Sequence, residues 1–384
     1  MQLENLFRLL KKIKKQSMLP LHSPDISIKD YNILKNCVKS TNISTYSNYV
    51  KHFENKLKKY TKSKYVIATN SGTSALHLAL MSFDIDKGDE ILIPSLNYVA
   101  PANAIMYCNG SPHFVDVNKK TLSVDIKKLD NYLKKILLKK KNFFLNKVTK
   151  KKVRGMVAFH PFGHAVEIDK LKKVLKKYKL FLIEDAAEAM GTFFKKKHMG
   201  TYGDVGILSF NGNKIISTGG GGAVITNNKI KAMKILELAT ISRVRHEFEF
   251  IYKGIGYNYR MPGLNAALGI SQLSKLNDLI KKKRIISRKY EKFFRSNKNI
   301  TYFKEPNNCK SNCWLNTIIL EKNNLRIRNK FIKKCIKNGI QVRPIWKPLH
   351  TLSYLKRFPR MKLVNTSILM NKILSLPSSP NIKL

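Results

Sequence analysis

Lys214 stands just ahead of four consecutive glycines, Gly219 to Gly222, in the stretch "LSFNGNKIISTGGGGAVITNN". In a chain with 73 lysines and arginines a single lysine means nothing by itself, so its company decides. Two other segments end in residues suited to the same chemistry. The turn "TNSGTSAL" sets Gly72, Thr73 and Ser74 between a β-rich run and a helical one. Free N–H groups at such a helix start attract an anion, although Ser and Thr also serve there as ordinary caps. The stretch "LFLIEDAAEAMG" closes an apolar strand on Glu184 and Asp185, with Glu188 after them. Carboxyl ends of parallel strands are where such sheets hold ligands, while a helix-capping role for Asp185 stands as the alternative. Together the three segments offer an amine, an acid and an anion cup. Pyridoxal phosphate requires that set: a lysine for its carbonyl, a carboxylate for its ring nitrogen and a cradle for its phosphate. The "GNKI" around Lys214 lacks the glycine spacing and the following Ser/Thr of a triphosphate loop, which disfavours a nucleoside triphosphatase.

The elements that must position these residues follow a regular alternation. The runs "YVIAT", "DEILIPS", "PHFVDV", "VRGMVAFH" and "LFLIEDAA" are near-continuous apolar strands. Helical patterns separate them at "NSGTSALHLALMSF", "YVAPANAIMY" and "IDKLKKVLKKYK", after a first helix near residues 26–39. That order predicts a large, mostly parallel α/β sheet flanked by helices. Residues 131–152 are lysine-rich and read as a surface insertion. From about Asp278 the pattern changes to a long charged helix, then strands at "NTIIL" and "GIQVRPIW". The expected division is an N-terminal helix and arm over 1–25, a large cofactor-binding domain over 26–277 and a small α+β domain over 278–384.

Composition bounds the function classes. At 384 residues, with 43% hydrophobic content, the chain can bury a large core. The formal net charge of +49 would suggest nucleic acid. Its lysines, however, are spread along the whole chain, with no zinc finger, RNP or basic-zipper pattern, so no specific nucleic-acid partner is expected. Five scattered cysteines, Cys37, Cys108, Cys309, Cys313 and Cys335, read as free thiols of a reducing compartment. His160 and His164 in "HPFGH" have metal-like spacing, but Pro161 and Gly163 argue against one helical face, and no metal is expected. The N-terminus shows Leu6, Leu9, Leu10 and Ile13 on one helical face, too short an apolar run for a signal peptide or a span. A packed terminal helix is the expectation, contact with a membrane surface the alternative, and the cytoplasm the expected location.

The motifs "FENKLKKYTKSKYVIATNSGTSALHLAL", "IEDAAEAMGT", "GDVGILSFNGNKIISTGGGG" and "GYNYRMPGLNAALGISQL" resemble the DegT/StrS family of fold-type I aminotransferases, which act on nucleotide-linked keto-sugars. The likeness runs from about Leu19 to Pro380. It implies pyridoxal 5′-phosphate as cofactor, Lys214 as the Schiff-base lysine and Asp185 as the acid on the ring nitrogen. It implies Glu188 near the ring hydroxyl, with Gly72, Thr73, Ser74 and Ser209 around the phosphate and Tyr98 stacked on the cofactor. Asn258 matches a residue that reaches the phosphate of the neighbouring subunit, which implies a homodimer. Asn211 and His350 are candidates for the sugar side. Lysine at 214, rather than the histidine of dehydrating relatives, argues for transamination. The chain departs from the pattern at Gly220, where many relatives carry glutamate, and near Ser47, where a glycine is usual. By resemblance the enzyme aminates a UDP-linked 4-keto-6-deoxy-N-acetylhexosamine with glutamate as donor, for bacterial surface glycans. A GDP-4-keto-6-deoxymannose aminotransferase is the alternative. A cofactor-bound regulatory protein without turnover, and a nucleic-acid-binding protein, are the readings from other classes.

Overall fold

The computed structural model describes residues 2–15, 17–244 and 246–383. Seven of its strands form the backbone of the large sheet. In spatial order they are Tyr65–Thr69, Gly222–Thr226, Val205–Ser209, Phe181–Asp185, Lys152–Phe159, Glu90–Pro94 and Ser111–Val115. The last five pair in parallel, whereas Gly222–Thr226 runs antiparallel to both of its neighbours. The sheet is therefore mostly parallel, with one reversed strand. Burial on both faces explains the unbroken apolar runs: all five residues of Glu90–Pro94, Val205–Ser209 and Gly222–Thr226 are buried.

Lysine-rich helices cover the sheet by spending their leucines inward. Helix Ile126–Ile136 buries Leu129 and Leu133, and helix Ile168–Lys177 buries Leu171 and Leu175, while Lys134, Lys135, Lys172 and Lys176 stay in solvent. The lysine-rich 131–152 segment differs from the simple surface insertion expected. After the end of a helix it makes a hairpin, Leu137–Lys139 with Phe144–Asn146, which joins the start of the Lys152–Phe159 strand. Buried Asn146 donates to Glu90 Oε2 at 3.0 Å, so the hairpin is tied to the sheet while Lys139, Lys140 and Lys141 remain exposed.

A second core lies under the antiparallel sheet of Ile300–Tyr302, Asn316–Leu320, Ile373–Leu376 and Arg343–Pro344. The N-terminal helix Gln2–Ile13 belongs to it. Leu6, Phe7 and Leu10 are buried against this core, each contributing about 1.5–3 kcal/mol as an upper bound. The apolar face once open to a membrane reading is thus already covered. The long helix expected from Asp278 starts earlier, at Gly263, and runs 32 residues to Phe294. Pro262 sits at its N-cap, and Gly269 lets it press against Phe53, where a Cβ would stand 2.8 Å from the ring. The second core is fastened to the large sheet by Asp116, which accepts from the backbone of Asn365 (3.0 Å) and Thr366 (2.8 Å).

The glycine run shows why four small residues stand together. Gly219 has φ +80°, a region that disfavours side chains. A Cβ on Gly222 would lie 2.6 Å from the Ser71 backbone, because the reversed strand presses on the turn that opens helix Gly72–Met81. Gly220 is different: its nearest neighbour to a Cβ would be the Asn70 carbonyl at 3.7 Å. Position 220 thus has room for the side chain many relatives carry. The Ser47 departure resolves as well, since Ser47 has φ −61° and caps helix Asn48–Thr61 by accepting from Tyr49 N. No glycine is needed there. Gly222→Ala should lower stability by about 1–3 kcal/mol and weaken cofactor retention, whereas Gly220→Ala should stay within about 0.5 kcal/mol. Thermal unfolding and cofactor titration of both variants check this; equal behaviour contradicts it.

Candidate active site

The carboxyl ends of four parallel strands and the start of helix Gly72–Met81 meet around a cavity of about 330 Å³. Gly72, Thr73, Tyr98, Asp185, Glu188, Ser209, Asn211 and Lys214 all line it. The structure brings these eight sequence candidates together from four separate segments.

Lys214 lies in a turn closed by its own N–H donating to the Asn211 carbonyl at 2.9 Å. Its Nζ stands 3.7 Å from Glu188 Oε1 and 4.1 Å from the centre of a Trp314 ring. Trp314 also donates from Nε1 to the Asn213 carbonyl at 2.7 Å, so one indole both fixes the turn and faces the ammonium. Glu188 is buried and accepts from Phe162 N–H at 2.8 Å. Burial pushes its carboxyl up to about 7, against the pull of Lys214 and the Phe162 N–H. Asp185 is likewise buried, and burial raises its carboxyl, opposed by the Ala187 N–H at 3.1 Å and by the Lys214 and His160 charges.

Strand alternation separates Asp185 from its neighbour Glu184. Glu184 accepts from His160 Nε2 at 3.2 Å and from the N–H groups of Gly200 (2.8 Å), Tyr202 (2.6 Å) and Gly203 (2.5 Å). Burial opposes its ionisation, but these bonds hold the carboxyl below its ordinary range. Glu184 therefore anchors the 200–203 loop beneath Asp185. His160 is occupied by Glu184 and by Val166 N–H, and His164 packs on Phe303.

At the helix start, Ser71 caps the first turn by accepting from Ser74 N–H at 3.0 Å. The N–H groups of Gly72 and Thr73 are left without intrahelical partners, as at every helix start. A Cβ on Gly72 would lie 2.9 Å from Ser209 Cβ, so only glycine keeps this cup open beside the Ser209 hydroxyl. Ser74 is not at the wall. Its hydroxyl donates to Asn70 Oδ1 at 2.6 Å, and Ser71 takes the lining position instead.

Two candidates stand elsewhere. His350 is bonded through Nδ1 to Ser95 Oγ at 2.7 Å and does not line the cavity. Asn258 is exposed and lines a separate hollow of about 500 Å³ with Tyr46, Ile241 and Arg260. The sequence reasoning missed Trp314 and Trp346. Composition held a signal, for the chain has two tryptophans and both line this cavity. Trp346 stacks on Phe162 at 5.5 Å and meets Tyr98 and Phe159 edge-on, which makes an aromatic wall.

The raised Glu188 carboxyl sets a sign for pH dependence. Its folded value of about 7 exceeds the ordinary 4.5, so its contribution to stability is present below 4.5 and lost as pH rises through 7. In the cofactor-free protein, Glu188→Gln should gain on wild type between pH 5 and pH 8, by on the order of 2 kcal/mol. Thermal unfolding across that range measures it; a difference independent of pH contradicts it.

The chain is similar to known proteins along almost its whole length. Residues 24–384 match the DegT/DnrJ/EryC1/StrS aminotransferase family. The chain is 32% identical to the GDP-perosamine synthase of Escherichia coli O157:H7, covering 95% of this chain and 94% of that protein. It is 31% identical to a UDP-4-amino-4,6-dideoxy-N-acetyl-beta-L-altrosamine transaminase of Campylobacter jejuni, covering 94% and 92%. Its fold matches that of Helicobacter pylori PseC, an aminotransferase involved in the biosynthesis of pseudoaminic acid, with a TM-score of 0.86 at 23% identity over 96% and 95% of the two chains. With the lysine, the two acids and the anion cup in one cavity, the chain belongs to the DegT/DnrJ/EryC1/StrS family and is a pyridoxal 5′-phosphate-dependent sugar aminotransferase.

Proposed function

We propose that the enzyme transfers an amino group from glutamate to C4 of a nucleotide-linked 4-keto-6-deoxyhexose, for bacterial surface glycans. The observation that carries this reading is Lys214 Nζ, 3.7 Å from a buried carboxylate inside a cavity whose other end is an open helix start. The cavity suits the cofactor: Gly72 leaves a cradle that a Cβ would fill, and two buried acids face one amine. When bound, pyridoxal phosphate supplies the electron sink for breaking a C–H bond beside nitrogen. Lys214 provides its amine for covalent attachment. Once an incoming amine takes its place, the freed Nζ would carry the proton on and off the carbon that bears the nitrogen. Asp185 holds a proton on the ring nitrogen as an ion pair, and burial strengthens that pair when the ring is charged. Gly72 and Thr73 N–H groups with Ser209 Oγ receive the phosphate. Glu188 keeps the Lys214 amine turned into the cavity. Trp314, Trp346 and Phe159 exclude water from the same space.

Two nucleotides compete. By the family resemblance, Glu188 where glutamine is commoner, together with "SFNGNKIISTGGGG", favours a UDP-linked N-acetyl sugar. The likeness to GDP-perosamine synthase over nearly the whole chain favours GDP-4-keto-6-deoxymannose, and that reading leads. A cytoplasmic location accords with five free cysteines among the described residues and no helix there long and apolar enough to cross a membrane. Incubating holoenzyme and glutamate with the GDP-, UDP-N-acetyl- and dTDP-linked 4-keto-6-deoxy sugars should give at least tenfold faster turnover of the GDP sugar, a difference of about 1.4 kcal/mol. Faster turnover of the UDP sugar reverses the order; turnover of none rejects the reaction.

The working unit in this reading is a homodimer with Asn258 serving its neighbour's phosphate. Apolar side chains crowd the surface near that residue: Tyr46 is 76% exposed, Phe248 77%, Phe250 70% and Ile255 82%. Such a concentration marks a protein interface. Mixing inactive Lys214→Ala with inactive Asn258→Ala subunits should restore up to about a quarter of wild-type activity, since one hybrid site keeps both residues. No recovery after subunit exchange contradicts shared sites.

A further inference from the structure

Behind the aromatic wall lies a second hollow of about 370 Å³, bounded by His22 of the N-terminal arm and by Gln341 and Arg343. Trp314, Trp346 and Asn213 line both this hollow and the cofactor cavity, so the two adjoin across the indoles. Two features of the hollow are unexplained by the fold.

Both ring nitrogens of His22 are shielded from water and have no hydrogen-bond partner. Buried imidazoles are ordinarily satisfied, so an orphan aimed into a cavity points to something that enters it. Burial, with Lys283 and Lys214 nearby, holds this ring well below its ordinary 6.5 and therefore neutral, with one donor and one acceptor to offer. Second, no Asp or Glu among the described residues lines the hollow. The Arg343 guanidinium, exposed at its rim, makes no ion pair or side-chain hydrogen bond among the described residues. The hollow thus offers an unpaired guanidinium and an unpartnered neutral imidazole next to the cofactor cavity.

We propose that this hollow is an oxyanion-binding subsite for a reactant whose reacting carbon sits at Lys214, with Arg343 as its cation and His22 as its neutral hydrogen-bonding group. The assignment rests on the aminotransferase reading above and deepens it. Two reactants carry such a group: the diphosphate of the nucleotide sugar and the distal carboxylate of the amino donor. Each fits the chemistry of a guanidinium with a neighbouring neutral donor.

Calorimetry on the holoenzyme at physiological salt tests this, with inorganic pyrophosphate and glutarate as probes. One probe should bind to wild type and lose about tenfold or more in affinity in both Arg343→Gln and His22→Phe. Pyrophosphate as that probe assigns the hollow to the nucleotide, and glutarate assigns it to the donor. Cofactor absorbance unchanged in both variants shows that the neighbouring cavity is intact. Lys56→Gln, at an exposed lysine on another helix, controls for the +49 charge and should stay within about twofold. Neither probe binding, or equal losses in Arg343→Gln and Lys56→Gln, overturns the subsite. Probe binding needs no keto-sugar, so a failed sugar panel with specific probe loss rejects the substrate assignment and leaves the subsite standing.

Discussion

An ammonium group 3.7 Å from a buried carboxylate is the constraint on which the rest of this structure turns. An isolated charge in such a place would be expelled or neutralised, because burial penalises ionised groups by several kcal/mol. Lys214 remains there because Glu188, the face of Trp314 and the fixed Asn211–Lys214 turn together give it a defined position. The pairing works in both directions. Glu188, pushed up by burial and drawn down by Lys214, sits near neutrality and is sensitive to whatever occupies the cavity. A site built this way favours the arrival of further charged groups, which is what a phosphate and a charged ring would bring.

The remainder of the fold holds that pair in register with its surroundings. The parallel strands deliver Asp185, Glu188 and Ser209 to one edge, and the reversed strand brings the glycine run back against the helix start. Glu184 locks the loop beneath, with four donors on one carboxylate. The second core contributes from the far side. Trp314 and Trp346 come from its strands' approaches and close the cavity that the large sheet leaves open. The active site therefore draws on both sheets: every acid and the lysine come from the large one, while the indoles pack in a third hydrophobic cluster with Phe162 and Phe303.

What the sequence revealed follows from that division. Lys214, Asp185 and Gly72 stood out as candidates because each sits at a strand end or turn, where local pattern sets position, whereas Ser209 entered only through the family resemblance. Trp314, Trp346 and His22 were not, since each reaches the site through tertiary packing across a long stretch of chain. The resemblance pointed to Ser74, and the helix phase sets Ser71 at the wall and Ser74 behind it. The early start of the long helix at Gly263 was hidden because its first turns are apolar and small, unlike the charged remainder. The 137–146 hairpin was masked by its lysines, which say solvent but not which side of the strand faces inward.

The most direct measurement of the central claim is reductive trapping of the cofactor by borohydride, followed by peptide mapping. The account predicts one stable cofactor label per chain, on the peptide that contains Lys214, and none in Lys214→Ala even when that variant still binds the cofactor. A label on any of the chain's other lysines, or undiminished labelling of the variant, would contradict it.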